Sequence, residues 1–236
     1  MAEAAADFDG SASNISFTNV VTGSGAISIA VWANLDSVAD NKPFVEVGNI
    51  HLGIYNDGSV IGPNFHVPGS FQIRANDTST NISTGSYFFI VVTHAGGQVN
   101  TTNTALYVNA TACVLGGNAG TPTIDSSGLI GKRTSGPTYA DGRITHVMLW
   151  NDQLTSSEVT ALYNSGTVLY PTANSGNYAS AANLQHYFKC NEGSGTTIDD
   201  TQQVANGTFN NGSWLAGGGP PIPIVGVPKM MLMGIG

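Results

Sequence analysis

Charge is the scarcest commodity in this chain. Of 236 residues only 9% are charged, and seven Lys and Arg stand against fifteen Asp and Glu, for a formal net charge of −8. The cations are not gathered into a basic run, so neither a phosphate backbone nor an anionic bilayer meets an electrostatic footprint. Nucleic acid and membrane are therefore excluded as partners. Cysteine is almost as rare: Cys113 and Cys190 are the only two, and neither lies in a CxxC. A disulfide framework and a cysteine zinc site are not indicated. The expectation is two unpaired, mostly buried thiols, and a bridge would require their strands to be neighbours. No run of about eighteen apolar residues is present, so no transmembrane helix is expected. The first residues, MAEAAADFDG, have no basic region and no apolar stretch of signal-peptide type. They suggest a protein made without a Sec signal and released by another route, such as assembly into a virion.

What is present is apolar material in short pieces. Hydrophobic residues make up 41% of the chain, and glycine alone contributes 30 positions. That is enough to close a large core, and all-β domains often reach this length as one unit. Asn, Thr, Ser and Gly carry the polar surface in place of charge. Alternation of period two recurs between turn-forming clusters, which predicts strands at 15–18, 26–32, 43–47, 50–55, 71–74, 87–93, 104–109, 128–131, 142–150 and 184–189. In 26–32, Ile27, Ile29 and Val31 share one face, whereas 87–92 is apolar throughout and reads as a strand covered on both sides. Asn56-Asp57-Gly58 is a strong hairpin signal. One helix is expected, over 156–164, with Thr155 as N-cap, Glu158 as its capping-box partner and Gly166 as the stop. It is too short to stand alone and is expected to pack on a sheet edge.

Motif chemistry is sparse. The five histidines, 51, 66, 94, 146 and 186, show no H-x-H or H-E-x-x-H spacing and are assigned to strand-face packing or hydrogen bonding. No G-x-S-x-G elbow exists, and the Gly-flanked serines Ser24, Ser165, Ser175 and Ser194 lie in turn-like contexts. Asp199 and Asp200 form an adjacent pair that reads as solvated surface or a turn cap. No catalytic residue is assigned, and the chain is expected not to be an enzyme.

From residue 217 the sequence becomes GGGPPIPIVGVPKMMLMGIG, in which Lys229 is the only charge. Its prolines forbid an ordinary helix or central strand, while its Ile, Val, Leu and Met content is foreign to disordered segments. An extended arm docked on a partner subunit is expected, with Pro220, Pro221, Ile222, Ile224, Val225, Met230, Met231, Leu232 and Met233 as the contacting residues.

Three segments resemble the laminin-G-like/concanavalin A-like lectin-glucanase superfamily. They are Phe8-Asp9-Gly10 with Ile15-Ser16-Phe17 and Ile27-Ser28-Ile29-Ala30-Val31-Trp32; Ala105-Leu106-Tyr107-Val108-Asn109, where Ala110 replaces the usual Gly; and the run 141–166, from Asp141-Gly142-Arg143 through Trp150-Asn151, Leu154 and Glu158 to Tyr163 and Gly166. A fourth, 184–214, is similar to the segment that normally opens these domains, yet here it closes the chain. The resemblance implies a two-sheet antiparallel jelly-roll β-sandwich with one short helix, circularly permuted if 184–214 supplies the missing first strand. The expected organisation is a jelly-roll domain over 1–216 and an attachment arm over 217–236.

Relatives that hydrolyse glucans carry an E-x-D-x-x-E strand, and the four glutamates here, Glu3, Glu46, Glu158 and Glu192, lie in separate segments, which excludes that mechanism. Calcium is the one cofactor the resemblance brings into question; Asp57, Asp77, Asp141 and Asp199 stand in candidate rim loops, without an assigned ligand set. Two functions are open. The first is a structural component of an assembled particle, such as a capsid decoration, fibre or knob protein at a virion surface, partnered by other protein subunits and by copies of itself. The alternative is an extracellular, lectin-like carbohydrate-binding module or adhesin whose partner is a cell-surface glycan. Fold alone does not choose between them.

Overall fold

The computed structural model describes residues 3–18, 20, 25–39, 42–67, 71–124 and 126–222. Strands dominate: β1 (Ala5–Asp9), β2 (Asn14–Thr18), β3 (Ile27–Leu35), β4 (Pro43–Val47), β5 (Ile50–Asn56), β6 (Ile61–Val67), β7 (Phe71–Ala75), β8 (Phe88–His94), β9 (Thr104–Val108), β10 (Thr111–Ala112), β11 (Leu115–Asn118), β12 (Ser127–Ile130) and β13 (Asp141–Trp150) precede the single α-helix, α1 (Ser156–Tyr163), and β14 (Leu184–Phe188), β15 (Thr197–Ile198), β16 (Gly207–Asn210) and β17 (Ser213–Leu215) follow it. They form two antiparallel sheets. The first runs β10-β9-β8-β3-β13-β1-β17, with β14 also on β13, and the second β11-β7-β6-β5-β4-β12-β2-β16-β15. The jelly-roll sandwich expected from the sequence is the fold observed.

The inner faces of the two sheets close on one apolar core. Ile27, Ile29, Val31, Ala33 and Leu35 of β3 and Phe88, Ile90 and Val92 of β8 meet Phe44, Leu52, Phe65 and Ile130 of the second sheet there. The first sheet is apolar on its outer face as well, where Trp32, Phe89, Val91, Met148 and Trp150 are buried under Val159 and Leu162 of α1, Val168 and Tyr178. The alternation read in β3 and the two-sided burial read in β8 are thus both present. The helix packs across this outer face rather than on a sheet edge, because Trp32 and Phe89 offer Tyr163 ring contacts at 5.9 and 6.3 Å. An eight-residue helix is unstable alone, and burying Val159 and Leu162 stabilises it by about 1.5–3 kcal/mol each. Its capping box is formed, and it ends one residue earlier than expected, at Tyr163, because Asn164 takes the left-handed conformation (φ 47°).

Seven strands were not foreseen: β1, β6, β10, β11, β15, β16 and β17. The closing segment joins both sheets. β14 lies against residues 147–150 of β13 while β1 lies against residues 141–144 of that strand. Since β3 occupies the opposite edge of β13, β1 and β14 sit end to end along one edge, bonded where Ala6 N donates to Cys190 O (3.0 Å). β17 then pairs β1, and β16 pairs β2. Both cysteines are free thiols; Cys190 is buried and Cys113 half-buried. Among the described residues no helix is long and apolar enough to cross a membrane.

Candidate functional site

With the outer face of the first sheet covered by α1 and residues 168–178, the outer face of the second sheet is the one left to receive a ligand. Antiparallel register places one residue from each strand in a continuous row across it: Asn118, Gln72, His66, His51, Glu46, Leu129, Ser16, Thr208 and Thr197. Nine strands at about 4.8 Å spacing make this row about 38 Å long. Every member except Leu129 can donate or accept a hydrogen bond. The adjacent row, Gly116, Arg74, Asn64, Gly53 and Pro43, adds a cation and an amide between two glycines.

A hairpin over residues 131–140, closed by the Lys132–Tyr139 bridge, folds onto the middle of the row. Thr134 donates to the Glu46 carboxylate from its backbone N–H (3.0 Å) and from its hydroxyl. Beneath it Glu46, His51, Asn64 and His66 are all buried. The two imidazoles meet edge to face with centroids 3.5 Å apart, and His51 Nδ1 lies 4.0 Å from Glu46 Oε2. The Asn64 side-chain amide lies 3.1 Å from His66 Nδ1, within hydrogen-bond distance. Burial, with the Arg133 charge nearby, lowers His66 to about 4; burial, the facing His66 and Arg133 lower His51 to about 2. Both rings are neutral near pH 7 and serve as hydrogen-bonding groups.

On one side of the hairpin Arg74 lies 4.0 Å over the Tyr55 ring and donates through Nη1 to Gln72 Oε1 (3.3 Å). On the other, a depression of about 320 Å³ is lined by Ser16, Thr18, Glu46, Ser127, Leu129 and Thr134 among others. Four hydroxyls and one carboxylate are set there among walls that are otherwise apolar, through Phe17 and Leu129, the mixture of a few placed polar groups on an apolar surface that binding sites commonly show.

Other clusters hold a carboxylate near a histidine, but both are internal. Asp200 accepts from His186 Nδ1 (2.9 Å), and both side chains are fully buried. Burial alone would raise the Asp200 carboxyl, yet the bonds from His186, Tyr187 N, Gln202 N and Ala205 N bring it below the usual range. It is a buried turn cap and not half of a surface dyad with Asp199. His146, at φ 48° in a bulge of β13, stands 2.8 Å from the Tyr187 hydroxyl and 3.6 Å from Glu3 Oε2. His94 is 3.1 Å from the Thr104 hydroxyl. All five histidines are buried strand residues.

The rim aspartates do not converge. Asp57 accepts from Ser59 N and Val60 N, Asp77 caps residues 78–80, Asp199 accepts from Asn206, and Asp141 opens β13. Among the described residues no group of three or more His, Cys, Asp or Glu is arranged to hold a metal ion.

Of the tail residues, Pro220 is buried on this chain's own sandwich, Pro221 is exposed but bonded to it through its carbonyl, and Ile222 is half-buried. Gly219 N donates to Glu3 O (2.8 Å), Tyr87 OH to Gly218 O (2.6 Å) and Val168 N to Pro221 O (2.9 Å). Ile224, Val225, Met230, Met231, Leu232 and Met233 lie outside the described residues.

The polar row itself escaped sequence reasoning, because β6 carries Gly62 and Pro63 and His51 and His66 read as lone histidines. One signal could have found it. Residues equidistant from the Asn-Asp-Gly turn pair in a hairpin, and extending the pair Asn56–Ile61 outward sets His51 opposite His66.

The sequence pattern described as the concanavalin A-like lectin/glucanases superfamily matches residues 9–160. No curated protein matches the chain. Among solved structures, a protein of Bacteroides ovatus assigned to carbohydrate binding superposes with a TM-score of 0.69 at 18% identity, covering 93% of this chain and 61% of that one. A native heptameric SAP-like pentraxin from Limulus polyphemus superposes with a TM-score of 0.56 at 13% identity, covering 68% of this chain and 82% of that one. At these identities the likeness is one of fold.

Proposed function

As the chain belongs to the concanavalin A-like lectin/glucanases superfamily, we propose that it is a non-enzymatic carbohydrate-binding protein whose saccharide lies along the open face of the second sheet. The observation that carries this reading is the pair of accessible ends of the row, Asn118 and Gln72 on one side of the hairpin and Ser16 and Thr208 beside the depression on the other, aligned by register with Glu46, His51 and His66 buried beneath the hairpin between them. The carbohydrate-binding assignment of the Bacteroides ovatus protein supports it. The comparisons weigh toward this expectation and bring none for a virion component. Hydrolysis of a glycosidic bond by the usual route needs two carboxyl groups about 5–9.5 Å apart across the bond. Glu46 is the one carboxylate in the row, and it is engaged by Thr134. A saccharide-binding role places the protein at a cell exterior or another glycan-bearing surface.

The test is a glycan array probed with the full chain and with Ser127→Trp. Ser127 is an exposed residue of β12 paired with Thr18 across the depression, so an indole there fills the depression without entering the core. Binding to a restricted set of glycans by the wild type, lost or reduced at least about ten-fold in the variant, a change of about 1.4 kcal/mol, is the expected result. Absence of any bound glycan, or binding indifferent to the indole, contradicts the proposal.

A further inference from the structure

Resting on that reading, we infer that the saccharide taken by this face is acidic, its sugars bearing carboxylate or sulfate groups. The chain as a whole is strongly anionic, at a net −8 with seven cations. Three of those cations, Arg74, Lys132 and Arg133, stand on the second sheet's outer face or on the hairpin above it. Arg143 and Lys189 belong to the first-sheet side, where Arg143 pairs with Asp36. Against the three cations the face sets one carboxylate, Glu46, buried beneath Thr134. Beyond the face, Asp57 in the β5–β6 turn interacts with the Arg74 charge, and the N–H groups of Ser59 and Val60 favour its ionised form. Among the described residues, Arg74, Lys132 and Arg133 thus outnumber Glu46 and Asp57 at this face of a chain that is anionic as a whole, and a ligand is drawn by the local charge.

Geometry supports the same conclusion. The Arg74 guanidinium is propped on the Tyr55 ring and held by Gln72 Oε1, and its cross-strand neighbour on β11 is Gly116, which offers no side chain. The Asn76 side chain lies over that glycine, and a planar fork fixed in this way is preorganised for bidentate pairing with a carboxylate or sulfate. Lys132 is supported in a like manner, 5.6 Å over the Tyr139 ring. Both tyrosines of this region thus lie under cations. A neutral sugar that stacks on a bare aromatic ring finds that platform occupied, while an anionic sugar meets two positioned positive charges.

The test uses calorimetric titration of the full chain with an oligogalacturonate, with its carboxyl-reduced neutral counterpart of equal length, and with a sulfated oligosaccharide. An anionic oligomer is expected to bind at least about ten-fold tighter than the neutral one at low salt, with affinity falling as salt rises. Arg74→Gln is expected to remove about ten-fold of the anionic affinity and to weaken neutral binding much less, and Arg74→Lys to recover part of the loss. Lys132→Gln, on the hairpin and outside both sheets, gives the same reading if Arg74→Gln does not fold. Which anionic arm binds separates carboxylate from sulfate. Equal or tighter binding of neutral glycans without salt dependence overturns the acidic assignment and leaves carbohydrate binding standing; no binding of any saccharide, here or on the array, overturns both.

Discussion

The Asp9 carboxylate accepts backbone hydrogen bonds from Ser11, Ala12 and Ser13 and hydroxyl bonds from Ser11 and Ser13, which fixes the turn between β1 and β2. Those bonds hold its carboxyl far below the usual carboxylate range, so its contribution is present above about pH 4 and is lost as acid protonates it. His51 and His66 act in a higher window. Their folded-state values, about 2 and about 4, lie below the ordinary imidazole value of 6.5. The unfolded chain therefore takes up protons first as pH falls, and stability declines from about pH 6.5 toward pH 4. Urea midpoints measured between pH 7 and pH 4 are expected to fall, and His66→Gln to flatten that slope. A slope that persists unchanged in the variant would assign the acid sensitivity elsewhere. At this scale the sequence was readable where the partner is local. The FDG motif marked Asp9, but the neighbours that neutralise His51 and His66 come from register and from the 131–140 hairpin.

Among elements, α1 and β13 were the most legible. The capping box joins residues three apart, so Thr155 and Glu158 announce it without tertiary information. Thr155→Ala is expected to cost about 1 kcal/mol. Glu158→Ala should cost more, because its other oxygen accepts from Ala179 N (3.2 Å) and Ser180 Oγ (2.6 Å), tying residues 179–180 to the helix; equal losses in thermal denaturation would show that this tie contributes nothing. Gly142, which leads into β13 at φ 122°, has no room for a Cβ, which would fall 2.5 Å from Asn34 O and 2.7 Å from Leu35 Cα. Gly142→Ala is expected to destabilise by about 3 kcal/mol or more, read as a lowered denaturant midpoint. β6 was hidden by Pro63, which argues against a central strand in isolation. It is tolerated because pairing with β7 begins only at Asn64, so the missing donor interrupts no ladder bond to that strand. β1 was hidden by Ala5 and Ala6, poor strand formers that β13 and β17 hold in place. β10, β15 and β17 are too short to show any period.

For the whole molecule, the seam between the ends of the described chain matters most. Glu3 accepts from Tyr170 OH (2.9 Å) and Asn191 Nδ2 (2.7 Å), while its backbone carbonyl receives Gly219 N. Residues near the start thus clamp the first part of the apolar tail. The boundary drawn at residue 216 from composition is crossed by the bonds of Gly218, Gly219 and Pro221. Ending the chain at Ala216 is therefore expected to lower the unfolding temperature, whereas ending it at Ile222 should leave that temperature unchanged. Attachment through the apolar remainder of the tail is a separate proposal, and loss of assembly in the Ile222 truncation with the fold intact would support it. The closing segment's likeness to an opening motif was visible in the sequence. That it would share the edge of β13 with β1 was not, because strand order depends on pairings more than a hundred residues apart.

The most direct test of the central claim is a map of backbone amide shifts in the full chain as a bound oligosaccharide from the array is added. The expected perturbations follow the row from Asn118 through Gln72, His66 and Glu46 to Ser16 and Thr208, together with the 131–140 hairpin. Perturbations confined to α1, to residues 168–187 or to the Glu3 seam, with the second sheet unmoved, would contradict it.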